Sequence, residues 1–125
     1  MSDSTKKVLI VEDDAFIGNT ILRQVIKSYP HSSLITSGTE AAEVLKKEFT
    51  DILVLDIFLP GMNGLDLLEA LRKEDRTKHL KVLVLTNTDQ AKDRERAVAL
   101  GATFLLKAVT DPTEIAEEIK KVLES

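Results

Sequence analysis

The sequence predicts an α/β fold, a single doubly wound sandwich with a parallel sheet between two layers of helices. Short aliphatic runs recur along the chain, and stretches with helical spacing of apolar residues lie between them. Runs that are apolar on both faces suit strands covered on both sides, as in a parallel sheet. Alternation at this spacing gives the doubly wound arrangement, with right-handed crossovers placing helices on both faces. Size agrees: 125 residues, 43% hydrophobic and 30% charged, make one ordinary domain able to bury a core.

The first strand is Val8 to Val11 (VLIV). The first helical stretch, Ala15 to Tyr29, aligns Ile17, Ile21, Leu22, Val25 and Ile26 in one stripe. Leu34-Ile35 is a short second strand. Thr39 to Phe49 then offers Ala41, Val44, Leu45 and Phe49, and Ser37 and Glu40 stand ahead of it as a capping box. Ile52 to Leu55 (ILVL) is the third strand, and Leu65 to Lys73 follows with Leu65, Leu67, Leu68 and Leu71. Val82 to Leu85 (VLVL) is the fourth strand. Gln90 to Leu100 has only Ala91, Ala97, Val98 and Leu100 as apolar residues, with Gly101 as its stop. A helix this polar is expected to pack weakly and to serve as a movable or interacting element. Phe104 to Leu106 is the fifth strand. Thr113 to Leu123 closes the chain with Ile115, Ile119, Val122 and Leu123, started by Asp111 as N-cap and Pro112 at the first helical position.

Composition removes several functions. The absence of cysteine excludes disulfides and thiolate metal sites. A net charge of −4, with one Tyr, four Phe and no Trp, argues against direct nucleic-acid binding by charge or by stacking. No apolar run is long enough to cross a bilayer, and Met1 to Lys7 is polar, without signal-peptide character, so a cytoplasmic location is expected. His31 and His79 fall in expected loops as solvated side chains.

In doubly wound sheets, ligands bind outside the carboxyl ends of the strands. Glu12, Asp13 and Asp14 follow the first strand, Asp56 the third, and Thr86, Asn87 and Thr88 the fourth, while the fifth ends at Lys107. Glu12, Asp13 and Asp56 repel one another if they converge. A hard divalent cation relieves that repulsion, and an all-oxygen site with room for water suits Mg²⁺, whereas zinc would want His or Cys. Asp14 is expected only to cap the first helix. Asp56 can attack phosphorus and form an acyl phosphate. That step needs charge neutralisation on the transferring oxygens, which the metal and Lys107 would supply, and the Thr86 hydroxyl can donate to a phosphoryl oxygen. Singly, a Thr after a strand is an ordinary turn former and a Lys at a strand end an ordinary solvated charge. Their combination in this order is the specific signal.

Four blocks, VLIVEDD, DILVLDIFLPGMNG, VLVLTNT and GATFLLKAV, resemble the response-regulator receiver domains of two-component signalling. The resemblance spans residues 1–125 as one receiver domain of chemotaxis-regulator type. It implies the (βα)5 flavodoxin-like strand order 2-1-3-4-5. It places Glu12 and Asp13 at the acidic pair, Asp56 at the phosphoacceptor and the Phe58 backbone carbonyl in the metal shell. Thr86 falls at the switch hydroxyl, Phe104 at the switch aromatic and Lys107 at the phosphate-contacting lysine. The implied donor is a histidine kinase or histidine phosphotransfer protein. The implied output is a change in the surface of the fourth helix, fifth strand and fifth helix, read by a downstream protein or by a second copy. Such a domain is an acceptor, not a turnover enzyme.

Three positions depart from the family. Ala108 stands where proline usually follows the lysine, so a trans bond or an altered loop is expected, because a cis bond before a non-proline residue costs about 3–4 kcal/mol. Asn87 is larger than the usual residue. Phe58 is apolar and, with Thr88, is expected to shield the acyl phosphate and slow its hydrolysis. The competing functions fit less well. A haloacid-dehalogenase-type phosphatase has its nucleophile after the first strand and a second Asp two residues on, where this chain has Phe58 after Asp56. A flavodoxin-like cofactor carrier would not place Glu12, Asp13 and Asp14 in its phosphate loop. A pseudo-receiver that only docks partners is the remaining alternative.

Overall fold

The computed structural model describes residues 5–125, and Met1 to Ser4 of the polar N-terminal stretch lie outside them. Five strands, β1 (Val8–Val11), β2 (Ser33–Ile35), β3 (Ile52–Leu55), β4 (Lys81–Thr86) and β5 (Thr103–Leu106), form one sheet in the order 2-1-3-4-5. Every neighbouring pair is parallel. The helices are α1 (Ala15–Val25), α2 (Gly38–Lys47), α3 (Gly64–Lys73), α4 (Ala91–Ala99) and α5 (Pro112–Glu124).

The aliphatic runs split between two cores by the two-residue period of a strand. Leu9, Val11, Leu53, Leu55, Val82 and Val84 face the side of α2, α3 and α4. Val8, Ile10, Ile52, Val54, Leu83 and Leu85 face α1 and α5, with Ile21, Val25, Ile115 and Ile119. Burying each such side chain contributes roughly 2 kcal/mol. This is why the runs read as continuous: neither face of the central strands meets water.

The caps read from sequence are in place. Asp14 accepts from the Ile17 amide, Ser37 from Glu40, and Asp111 from Glu114. That last bond holds the Asp111 carboxyl below its ordinary range. Two helix ends fall short of the apolar pattern by two residues or more. Helix α1 stops at Val25 rather than Tyr29, in line with the bias that Pro30 imposes on the residue before it, yet Tyr29 still buries in the α1–α5 core. Helix α2 stops at Lys47 because Glu48 is extended, which turns Phe49 out to 67% exposure instead of into the stripe.

Helix α4 is the weak packer its composition predicts: Ala97 is its only buried residue, and Val98 is exposed. Charge holds it instead. Arg96 donates to Asp66 and Glu69 of α3, both at 2.8 Å. Beyond it, Gly101 adopts φ 79° and ends the helix. The half-buried Arg72 of α3 ties this end down. Its Nε donates to the Leu100 carbonyl at 2.7 Å and its Nη1 to the Leu80 carbonyl at 2.7 Å, joining α3, α4 and the entry to β4.

Between β3 and α3 a small antiparallel hairpin pairs Phe58–Leu59 with Met62–Asn63. Gly61 turns it with φ 71°, and Asn63 caps α3 by accepting from the Leu65 amide. Pro60 and Gly61 thus turn a hairpin that follows the end of β3, and Gly64 opens α3.

Candidate phosphoacceptor site at the carboxyl edge of the sheet

Parallel register brings the polar strand ends to one level. Val11 pairs with Leu55, so Glu12 and Asp56 leave adjacent strands side by side. Thr86 pairs with Leu106, so Lys107 rises just beyond Thr86. Backbone bonds fix the two acids: the Asp56 amide donates to the Val11 carbonyl at 3.3 Å, and the Glu12 amide to the Ile35 carbonyl at 3.1 Å.

Glu12 and Asp56 are 3% and 7% exposed, and Asp13 points to solvent beside them. A carboxylate oxygen of each lies within 4.8 Å of the others. Lys107 reaches into this group. Its Nζ donates to Asp56 Oδ2 at 2.9 Å and also to Glu12 Oε1. Glu12 Oε2 accepts from the Asp14 amide at 3.1 Å, and Asp56 Oδ1 from the Phe58 amide at 3.3 Å. Burial pushes the Glu12 carboxyl above its ordinary value, and the Lys107 ammonium only partly offsets this. Burial alone would lower the Lys107 amine, but its bonds to Glu12 and Asp56 and their charges together raise it. Lys107 therefore stays an ammonium.

The donor set fits a hard dication. Three carboxylates gather around one ammonium, all of them oxygen donors, with no His or Cys in the group among the described residues.

Thr86 is fully buried, and its Oγ1 has no hydrogen-bond partner among the described residues. Leaving a buried hydroxyl unpaired costs about 1–3 kcal/mol, so such a group calls for a reason. Phe104 sits half-buried on β5 against the α2–α4 core. The Phe58 side chain stands 58% exposed on the hairpin. Thr88 is engaged at the start of α4, where its hydroxyl donates to Asp93 at 3.3 Å. No peptide bond among the described residues is cis, so the trans bond expected before Ala108 is present, and Lys107–Val109 form a single 3-10 turn from which Lys107 reaches both acids. His31 and His79 are exposed, as expected.

The structure thus assembles Glu12, Asp13, Asp56 and Lys107 into one cluster. One contact had no trace in the sequence: the Arg94 guanidinium of α4 lies 5.3 Å from the centroid of the Phe104 ring. The two residues share no motif, and only the packing of α4 beside β5 joins them.

The family model for the response regulator receiver domain matches residues 8–120. Among curated relatives, the chemotaxis protein CheY of Thermotoga maritima is 32% identical over 119 residues, covering 94% of this chain and 97% of that protein. The phosphate regulon transcriptional regulatory protein PhoB of Rhizobium meliloti is 30% identical over 94% of this chain and 52% of its own length. The chain spans about half the length of several of the curated relatives it matches. Among solved structures, a CheY-like response regulator receiver domain protein from Methanospirillum hungatei superposes with a TM-score of 0.85. It is 26% identical, covering 95% of this chain and 94% of that one.

Proposed function

The chain belongs to the response regulator receiver domain family of two-component signalling, and from that premise we propose that it accepts a phosphoryl group on Asp56 as one receiver domain, residues 1–125. The donor is a phosphohistidine of a histidine kinase or histidine phosphotransfer protein. An Asp56 oxygen attacks phosphorus, and the new O–P bond forms as the N–P bond breaks. The electron pair returns to the imidazole nitrogen, which is reprotonated from solvent. Lys107 already lies on Asp56 and can neutralise the transferring oxygens. A magnesium ion held by Glu12, Asp13, Asp56 and the Phe58 carbonyl supplies the remaining positive charge when bound. The domain is an acceptor that loads and unloads itself, with no turnover of a separate substrate.

The unpartnered Thr86 hydroxyl is the receiver of the signal. Once an acyl phosphate forms, it gains an acceptor and moves toward it, and the space it leaves lets Phe104 rotate inward. The α4–β5–α5 surface then changes for a downstream protein or a second copy. The reading includes no direct contact with nucleic acid or membrane, and a cytoplasmic location. No helix of the described residues is long and apolar enough to cross a membrane.

The observation that best supports this reading is the Lys107 bridge between Glu12 and Asp56 with Asp13 alongside. Incubation with acetyl phosphate and Mg²⁺ is expected to add the mass of one phosphoryl group to the intact protein and nothing to Asp56→Asn. Equal labelling of the variant would place the acceptor elsewhere, and no labelling of either protein would leave the docking-only reading.

Phe58 is the further element of this proposal. Its side chain is exposed two residues beyond Asp56, while its own amide donates to the Asp56 carboxylate. Phe58→Asn keeps that amide and replaces the apolar cover with a group that can orient water. The phosphorylated variant is expected to lose its label several-fold faster, and an unchanged half-life would show that the ring shields nothing.

A further inference from the structure

Phe104 lies on β5 in register with Val84, half-buried and packed against the α2–α4 core. The Arg94 guanidinium stands over its ring, 5.3 Å from the centroid. A guanidinium over an aromatic face is attracted by the ring quadrupole. Among the described residues Arg94 has no carboxylate partner within 4 Å, whereas Arg96, two positions on, has two. The Arg94 guanidinium is thus left to the ring. Beside the ring opens a hollow of about 420 Å³, lined by Arg94, Val98, Phe104, Leu106, Val109 and Thr110. The helix that carries Arg94 has a single buried residue, so contacts of this size count in setting its position.

We propose that Arg94 is a positioning residue for the switch: stacked on Phe104, it favours the unphosphorylated arrangement of α4 and β5 and sets how readily the domain switches. This rests on the proposed coupling of Asp56, Thr86 and Phe104. A contact made in one state and lost in the other biases the equilibrium by its own strength. Phenylalanine has no hydroxyl to hold its outward position, and the cation supplies a hold in its place. An exposed stack of this kind changes a two-state ratio by about two- to fivefold.

The test uses the full chain with Mg²⁺ and beryllofluoride as the phosphoryl stand-in. Apparent affinity and the ring NMR signals of Phe104 are followed in wild type, Arg94→Gln, Arg94→Lys, Phe104→Leu and the Arg94→Gln/Phe104→Leu double variant. Arg94→Gln is expected to tighten apparent binding about two- to fivefold, because more of the free protein is already competent. It should also move the Phe104 signals of the free protein part-way toward their bound positions. The sign is informative, since loss of a positive charge by itself weakens capture of an anion. Arg94→Lys, which keeps a cation, should restore much of the wild-type behaviour. In the Phe104→Leu background, Arg94→Gln should change nothing. An Arg94→Gln protein indistinguishable from wild type overturns the latch and leaves the phosphoacceptor reading intact, as does an equal effect with or without the ring. Wild-type protein that binds beryllofluoride while Phe104 stays still overturns the switch itself, and the latch falls with it. Wild-type protein that does not bind beryllofluoride at all overturns the phosphoacceptor reading.

Discussion

Gly64→Ala is expected to destabilise the protein by about 3 kcal/mol, a melting temperature roughly 10 °C lower. A Cβ at residue 64 would sit 2.1 Å from the backbone oxygen of Asp56 and 3.0 Å from the Ile57 Cα. Neither neighbour is a flexible side chain that could swing aside. The Gly64 amide also donates to the Ile57 carbonyl at 2.6 Å, so the two backbones are locked together where the hairpin returns to the sheet. Relief requires moving the main chain that carries the proposed acceptor. Phosphorylation by acetyl phosphate should therefore fall along with stability. Gly61→Ala is the control. Nothing lies within 4 Å of its added carbon, and only the positive φ opposes it, a smaller cost of about 1 kcal/mol that leaves Asp56 in place. Thermal unfolding of the two variants, followed by circular dichroism, checks the ranking. A Gly64→Ala protein that melts with wild type would mean that the close approach to Asp56 is not required.

Lys107→Ala is expected to slow phosphorylation from acetyl phosphate by about 10²-fold or more, the usual loss when one donor to a developing oxyanion is removed. Its second effect is on the free protein. The Lys107 side chain is 10% exposed, and its partners on Glu12 and Asp56 are 3% and 9% exposed. Without it, two enclosed carboxylates face each other and Asp13 with no counter-charge. Breaking a pair this enclosed costs on the order of 3 kcal/mol. Added Mg²⁺ should then raise the melting temperature of Lys107→Ala by more than it raises wild type, because the ion no longer competes with the ammonium. Equal shifts in the two proteins would separate the ion from the carboxylate cluster. Lys107→Met, which keeps most of the stem, distinguishes loss of charge from loss of packing.

Much of this molecule was legible in its sequence, for local reasons. The three aliphatic runs announce strands covered on both faces, and the stripes at Ile17–Val25 and Ile115–Leu123 announce the helices that cover one of them. Asp14, Ser37 and Asp111 mark helix starts because capping is satisfied within three residues. Even the cluster of polar residues was visible, since the carboxyl ends of parallel strands must meet at one edge and the sequence states which residues stand there. Where local reasoning failed, it failed at helix ends. Phe49 fits the helical period of α2, but the backbone had already left the helix at Glu48.

The sequence by itself determined the alternation of strands and helices, the division of apolar residues between two cores, and the acids, hydroxyl and lysine that share the carboxyl edge. Each of these follows from spacing along the chain. Tertiary structure alone decided that Arg72 staples three elements, that Arg96 anchors α4 through Asp66 and Glu69, that Arg94 lies over Phe104, and that Gly64 touches Asp56. A charged side chain on an exposed helix face has many possible partners at similar energy. Which one it meets is set only when the helices settle on the sheet at particular distances and angles.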